Sequence, residues 1–342
     1  MLSKLTKWIV LRCLGVLRRP TGIKSRWPDG IFRILLVKQS ERLGNIILLN
    51  SALNAISSRF PEAKIDLLLP AAFCDLMADD CRIDRVIPVE KRTYFIRSWR
   101  FLSLLISLRK SEYSLAVDFS DVNSHSLTGA LYTLLSGGET TAGWKTGKRA
   151  IFDIEAPRYR EIIHASEMYL RLISEIFGED MRGEPYFPIG SAKSDGGNAA
   201  VGINCGGRGN KRWPIENFIE IGRKLSAAGI SSEFILGPQE QNQRAFLRDN
   251  LPQHATLLPP TPLSRLKKII GDYSLFISSD TGPMHLAWSL RVPTLAIFVD
   301  SELEKFKPLS PGSVALDART GLSPQTIYES AVRILNAPRI PA

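Results

Sequence analysis

The chain has 342 residues, 44% hydrophobic and 23% charged, which excludes a disordered segment and a single small core and suits two globular domains. Its formal charge is +10, but seven cations (Lys4, Lys7, Arg12, Arg18, Arg19, Lys24 and Arg26) against the one acid Asp29 place a net six of those charges in the first thirty residues. That distribution argues for a local contact with an anionic surface and against a nucleic-acid-binding fold, and four scattered cysteines (Cys13, Cys74, Cys81, Cys205) without paired spacing argue against zinc or a disulfide framework and for a reducing compartment.

Residues 1–28 mix Leu2, Leu5, Ile9, Leu14, Val16 and Leu17 with that basic set. The run is too short and too charged to span a bilayer, and no convincing cleavage site follows. It reads as an interfacial helix on anionic lipid, or else as a basic tail. Ile31–Lys38 is a strand, Gln39–Asn45 the turn after it, and Ile46–Phe60 a helix closed by Pro61. Strands follow at Lys64–Leu69, Asp84–Pro88, Tyr113–Asp118 and Thr140–Trp144, with helical stretches between them. Between the third and fourth strands, Lys91, Arg92, Tyr94, Phe95, Arg97, Trp99, Arg100 and Phe101 form either an amphipathic helix with a solvated basic side or a dock for a lipid-anchored, phosphorylated molecule. His164–Phe177 is a long helix, and a Gly-, Pro- and Ser-rich linker runs from Gly183 to Gly197.

A second alternating set follows. Ala199–Asn204, Ser232–Leu236, Tyr273–Ile277 and Pro293–Phe298 are strands. Ile215–Ala227, Gln239–Asn250, Leu263–Ile270 and Pro324–Asn336 are helices, and a further one starts near Pro283. Strands alternating with helices indicate α/β domains with parallel sheets covered on both faces. Ligands in such sheets bind beyond the carboxyl ends of the strands. In the first half those ends carry Ser40, Glu41, Arg42, Gly44 and Asn45, and Asp118.

Three strand-end turns in the second half carry candidate chemistry. Ser278–Ala287 is a strand, a polar turn and a helix start, an arrangement that aims free N–H groups and a helix dipole at an anion. Asp280, Thr281, Gly282 and His285 are its candidate ligands, with Asp280 as an ordinary helix cap the alternative. Gly202–Phe218 contains Gly206 and Gly207, which free the backbone, and Lys211 and Arg212, which bring charge for a diphosphate. Glu240 either accepts from ribose hydroxyls or complements a helix dipole. No Ser-His-acid set is apparent, no His/Cys/acid cluster has metal spacing, and His125 and His254 have no motif around them. A nicotinamide oxidoreductase is disfavoured, since Gly-x-Gly-x-x-Gly is missing after the first strand.

Asp280-Thr-Gly-Pro-Met-His285, followed by Arg291-Val-Pro-Thr-Leu-Ala-Ile297, resembles the donor-site signature of the family 9 glycosyltransferases, which include the lipopolysaccharide heptosyltransferases. Lys211-x-Trp-Pro214, Leu43-Gly44, Ala116-Val-Asp118 and His164-Ala-x-Glu-x-Tyr-Leu-Arg171 extend the likeness over most of residues 31–337. The resemblance implies a GT-B fold, two Rossmann-like lobes with parallel sheets facing a central cleft. Residues 29–188 would form an acceptor lobe and 198–342 a lobe for a nucleotide-sugar donor. It implies inverting transfer of a sugar, most closely heptose from an ADP-sugar, to a lipopolysaccharide core or related glycan acceptor. It implies that no metal or other cofactor is needed, and a peripheral place on the cytoplasmic face of the inner membrane.

By that match Gly206, Gly207, Lys211, Glu240, Asp280, Thr281, Gly282 and His285 would bind the donor, with Lys211 on its phosphates. Ser40, Arg42, Gly44 and Asp118 would face the acceptor. At the position of the family's general base stands Asn45, an amide that cannot take a proton from a hydroxyl at neutral pH. Either Glu41 serves instead, or the chain is a weak or silent nucleotide- or glycan-binding member. A transferase for another nucleotide sugar is the remaining alternative.

Overall fold

The computed structural model describes residues 33–90, 98–122, 126–147, 150–159, 161, 163–188, 201–207, 209 and 212–338. The basic segment 1–28, residues 91–97, His125, most of the expected linker (189–197) and Lys211 lie outside the described residues. By internal contact the chain divides into two compact units. The first holds the described residues up to Glu41, Leu49–Glu161 and Ser166–Glu184. The second holds Arg42–Leu48, Ile162–Ala165 and the described residues from Pro185 onward.

The first unit and its excursions contain β1 (Arg33–Val37), α1 (Leu43–Ile47), α2 (Asn50–Arg59), β2 (Lys64–Pro70), α3 (Cys74–Met77), β3 (Arg85–Val89), α4 (Ser98–Arg109), β4 (Leu115–Asp118), α5 (Leu127–Leu135), β5 (Thr140–Trp144), β6 (Ile154–Ala156) and α6 (Ala165–Phe177). Six parallel strands pair in the order β3-β2-β1-β4-β5-β6. Leu35, Val37, Leu68, Ala116, Tyr113 and Tyr132 form the core of one face. One buried carboxylate ties the amino ends of neighbouring strands together. Asp66 accepts from Arg33 Nη1 at 2.9 Å, from Arg85 Nη2 at 2.5 Å and from the Tyr113 hydroxyl at 2.7 Å.

The second unit contains β7 (Val201–Asn204), α7 (Ile215–Ala227), β8 (Ser232–Ile235), α8 (Arg244–Asp249), β9 (Ala255–Leu257), α9 (Leu263–Gly271), β10 (Leu275–Ser279), α10 (Gly282–Ser289), β11 (Thr294–Phe298), α11 (Leu303–Phe306), β12 (Val314–Asp317) and α12 (Pro324–Asn336). Its parallel sheet runs β12-β11-β10-β7-β8-β9. The amphipathic helices α7 and α12 turn Phe218, Ile221, Leu225, Ile327 and Ala331 onto Ile203, Phe234, Ile277 and Leu295.

Both sheets therefore have the same winding: the first strand of each set is central, and the chain goes out one way through two strands and back the other way through three. In each, the order reverses beside that first strand. The crevices at the two reversals, β1 beside β4 and β7 beside β10, are the places where such sheets bind ligands.

The expected helix Ile46–Phe60 is two helices. α1 ends at Ile47, and α2 begins at Asn50 after a two-residue step at Leu48 and Leu49. The expected helix Gln239–Asn250 is a 3-10 turn, Gln241–Gln243, followed by the short α8.

Candidate functional site

The two crevices are built differently. One residue past β1 stands Lys38, only 1% exposed. Its Nζ crosses to the β4 side and donates to the Phe119 carbonyl at 2.7 Å, to Asp121 Oδ1 at 2.9 Å and to the Tyr169 hydroxyl at 2.5 Å. Burial lowers the lysine pKa, against the pull of Asp121 and Asp118. Asp118, at the end of β4, is also buried and accepts from the Ser120 N–H at 3.1 Å and the Ser120 hydroxyl at 2.8 Å. Burial pushes its carboxyl up to about 7, with the Ser120 bonds and Lys38 opposing. The first unit has thus filled its switch point with its own cation and acid. The expected acceptor residue Asp118 is packed inside that cluster.

In the second unit Cys205 stands one residue past β7, and it brings no charge, since burial pushes its thiol up. Asn204, at the end of β7, instead reaches across to β10. Its Nδ2 donates to Ser278 Oγ at 2.9 Å and to Thr281 Oγ1 at 3.0 Å. Thr281 Oγ1 also donates to the Ser279 carbonyl at 3.2 Å. These bonds fix the polar turn before α10. Thr281 is the N-cap of α10 yet makes no side-chain cap bond, and Pro283 occupies the first turn. The positive end of the helix is therefore not capped by Thr281's own side chain. Thr281, Gly282 and Pro283 remain partly accessible. Asn204 carries no motif in the sequence; its signal is a polar residue closing an otherwise apolar strand.

The neighbouring glycine turn is fixed by Glu240. This carboxylate is buried, and its Oε1 accepts from Arg212 Nη2 at 3.0 Å, with the Gly207 N–H at 3.5 Å. Arg212 Nε donates to the Gly207 carbonyl at 2.6 Å. A Cβ on Gly237 would come within 2.6 Å of Glu240 Oε2, and one on Gly206 within 3.4 Å. Glu240 therefore braces the Gly206–Gly207 backbone, where the sequence suggested a ribose ligand or a dipole partner. Lys211, the expected phosphate ligand, lies outside the described residues.

Asp280 and His285 are both largely buried. The His285 Nδ1 accepts from Trp288 Nε1 at 3.2 Å, so its proton resides on Nε2, 3.5 Å from Asp280 Oδ1. Phe306 lies edge-on to the ring. His164 continues the cluster edge-on to Trp288, and its Nε2 donates to the Lys307 carbonyl at 3.1 Å. Burial pushes the His164 imidazole down to about 4, so it is neutral at physiological pH. His285 is thus a packing and orienting residue beneath the turn, rather than a side chain extended into solvent.

What it packs against is the stretch that follows β1. Gly44 lies so close to the imidazole that a Cβ there would sit 2.5 Å from His285 Cδ2. Reciprocally, a Cβ on Gly282 would sit 2.7 Å from the Leu43 Cβ. α1 and α10 approach through these two glycines, which places Arg42, Gly44 and Asn45 with the second unit, not the first. Ser40 and Glu41 stay with the first, and Glu41 is exposed. Among the described residues, no group of three or more His, Cys, Asp and Glu side chains is placed to hold a metal ion.

Solved structures share this architecture. A family 9 glycosyl transferase from Veillonella parvula superposes with a TM-score of 0.76 at 16% identity, over 89% of this chain and 97% of that one. The Escherichia coli heptosyltransferase WaaC, solved with ADP, superposes with a TM-score of 0.72 at 19% identity, over 89% of this chain and all of the other. The two doubly wound units are the GT-B fold. In sequence, lipopolysaccharide heptosyltransferase 1 of E. coli K12 is 24% identical over 285 residues, 78% of this chain and 87% of the relative. The model of glycosyltransferase family 9 (heptosyltransferase) matches residues 101–333, and the chain belongs to that family.

Proposed function

We propose that the chain transfers a sugar, heptose by its kinship, from an ADP-sugar to a lipopolysaccharide core or related glycan. The second unit takes the donor. The observation that supports this assignment is the contrast between the crevices: Lys38 fills one, while in the other Asn204 brings no charge and fixes the polar turn before α10. The diphosphate then lies over Thr281 and Gly282 and beside Gly206 and Gly207, with Lys211 supplying charge as the sugar departs. The acceptor oxygen displaces the diphosphate from the anomeric carbon with inversion and gives up its proton to a base.

Glu41 is the carboxylate of this chain offered for that role. Asn45 orients the acceptor by hydrogen bonds. Asn45 also favours a second reading, a chain that binds nucleotide without turnover.

Calorimetric titration with ADP and ADP-sugars, paired with a transfer assay, tests both readings. Donor assignment requires ADP binding that weakens about tenfold or more in Lys211→Ala, the loss expected for a charge-assisted phosphate contact. Binding without turnover selects the silent protein, and no binding removes the donor site. Asn45→Asp should raise transfer about tenfold or more if the missing base limits the rate.

A further inference from the structure

From Lys91 to Ser111 the sequence holds six cations (Lys91, Arg92, Arg97, Arg100, Arg109, Lys110) and no acid. The described part of that stretch is α4. A surface helix normally has one apolar stripe, facing the core. α4 has two. Phe101, Leu104, Leu105 and Leu108 turn inward onto the core of the first unit. On the opposite side, at spacings of three and seven that share one helical face, stand Trp99, Leu102 and Ile106. They are 63%, 56% and 55% exposed. Among the described residues five large hydrophobics are exposed, and the three most exposed of them form this ridge.

The flanks are cationic. The Arg100 guanidinium lies 5.4 Å from the Trp99 ring centroid, and Arg109 and Lys110 are exposed at the far end. Small serines, Ser103 and Ser107, fill the gaps.

We infer that this outer face of α4 docks on an anionic lipid bilayer. Trp99, Leu102 and Ile106 would enter the acyl boundary while Arg100, Arg109 and Lys110 meet lipid phosphates. Charge complementarity selects this occupant. A second copy of the chain, paired about a two-fold axis, would bring the same cations against each other without an acid on the helix to receive them. A lipid surface supplies phosphate along the whole ridge. The inference takes from the proposed function only its lipopolysaccharide-core acceptor, a glycan carried on lipid.

The test is co-sedimentation of the full chain with vesicles of phosphatidylethanolamine and phosphatidylglycerol, against vesicles of phosphatidylcholine alone. The chain should partition onto the anionic vesicles. Trp99→Ser/Leu102→Ser/Ile106→Ser and, separately, Arg100→Glu/Lys110→Glu should each reduce partitioning about tenfold or more. Thermal midpoint and ADP affinity should stay unchanged. Should the apolar variant prove unfolded, the charge variant gives the answer alone. Wild-type partitioning in both variants overturns the inference and leaves the basic segment 1–28 as the anchor. Failure of the wild-type chain to bind anionic vesicles also overturns it. So does a dimer that the apolar variant dissolves without loss of vesicle binding, since the ridge would then be an interface between copies. Loss of ADP binding in the wild-type chain would strike the proposed function and leave vesicle docking standing.

Discussion

A methyl group at residue 44 has no space. It would meet the His285 ring at 2.5 Å, and that ring is held by Trp288, Phe306 and the Asp280 carboxylate. Gly44→Ala should therefore destabilise the chain by about 1–3 kcal/mol, the usual cost of overpacking. Urea unfolding measures it, and the cost in a His285→Ala background should be smaller, because the two residues share one contact. Asp118 makes a second prediction. Its folded carboxyl sits near 7 against an ordinary 3.8, so between those values the native state keeps a proton that the unfolded chain has released. Its contribution is fully present below about pH 4 and is lost as pH rises through about 7, at up to about 1.4 kcal/mol per pH unit. Asp118→Asn keeps an acceptor for Ser120 and removes the titration. Thermal melts at pH 5 and pH 8 should differ less in that variant than in the wild type.

At the scale of elements, the buried Asp66 carboxylate ties neighbouring strands of the first sheet together. Residues of β1, β2 and β3 and the start of β4 meet on it. Asp66→Asn leaves the half-exposed Arg85 facing an uncharged partner, while Arg33 keeps its ion pair with Asp84 at 2.9 Å. It should cost about 1–3 kcal/mol, read as a lower urea midpoint with an unchanged slope. The elements legible in the sequence are those whose pattern is set by burial on their own. Thr140–Trp144, Ile215–Ala227 and Pro324–Asn336 have the expected bounds; a clean helical stripe marks each of the two helices, and the strand is a short run of small and β-branched residues ending in a buried tryptophan. The strands missed, β6, β9 and β12, are short and lie at sheet edges or beside them, where one-sided pairing demands no apolar run. The break between α1 and α2 carries no glycine or proline. It arises because α1 packs on α10 while α2 packs in the first unit, a tertiary demand that leaves no local mark. The same limit applied to the site. Asp280, Thr281 and His285 stand out by motif, but the inward turn of His285 and the bracing role of Glu240 depend on partners tens or hundreds of residues away.

At the scale of the molecule, two copies of one winding have been put to different uses. The same crevice recurs beside the first strand of each sheet. In one it is closed by a buried lysine that spends its hydrogen bonds on its own unit; in the other an asparagine sets a polar turn beneath a helix start. ADP should read this asymmetry directly. A ligand that binds only the native state stabilises it by RT ln(1 + [L]/Kd), about 2.7 kcal/mol at a hundredfold excess over Kd. Local openings that expose the site are suppressed by the same amount, so hydrogen exchange should slow in Asn204–Gly207 and Ser278–Ser289. Exchange around Lys38 and Asp118–Val122 should not change, since the lysine ammonium already spends its three hydrogens on the Phe119 carbonyl, Asp121 and Tyr169 of its own unit. Protection centred on Lys38 and Asp118 would reverse the assignment of the units. Protection at Asn204 and Thr281 that survives Lys211→Ala at full strength would keep the crevice and remove the lysine from it.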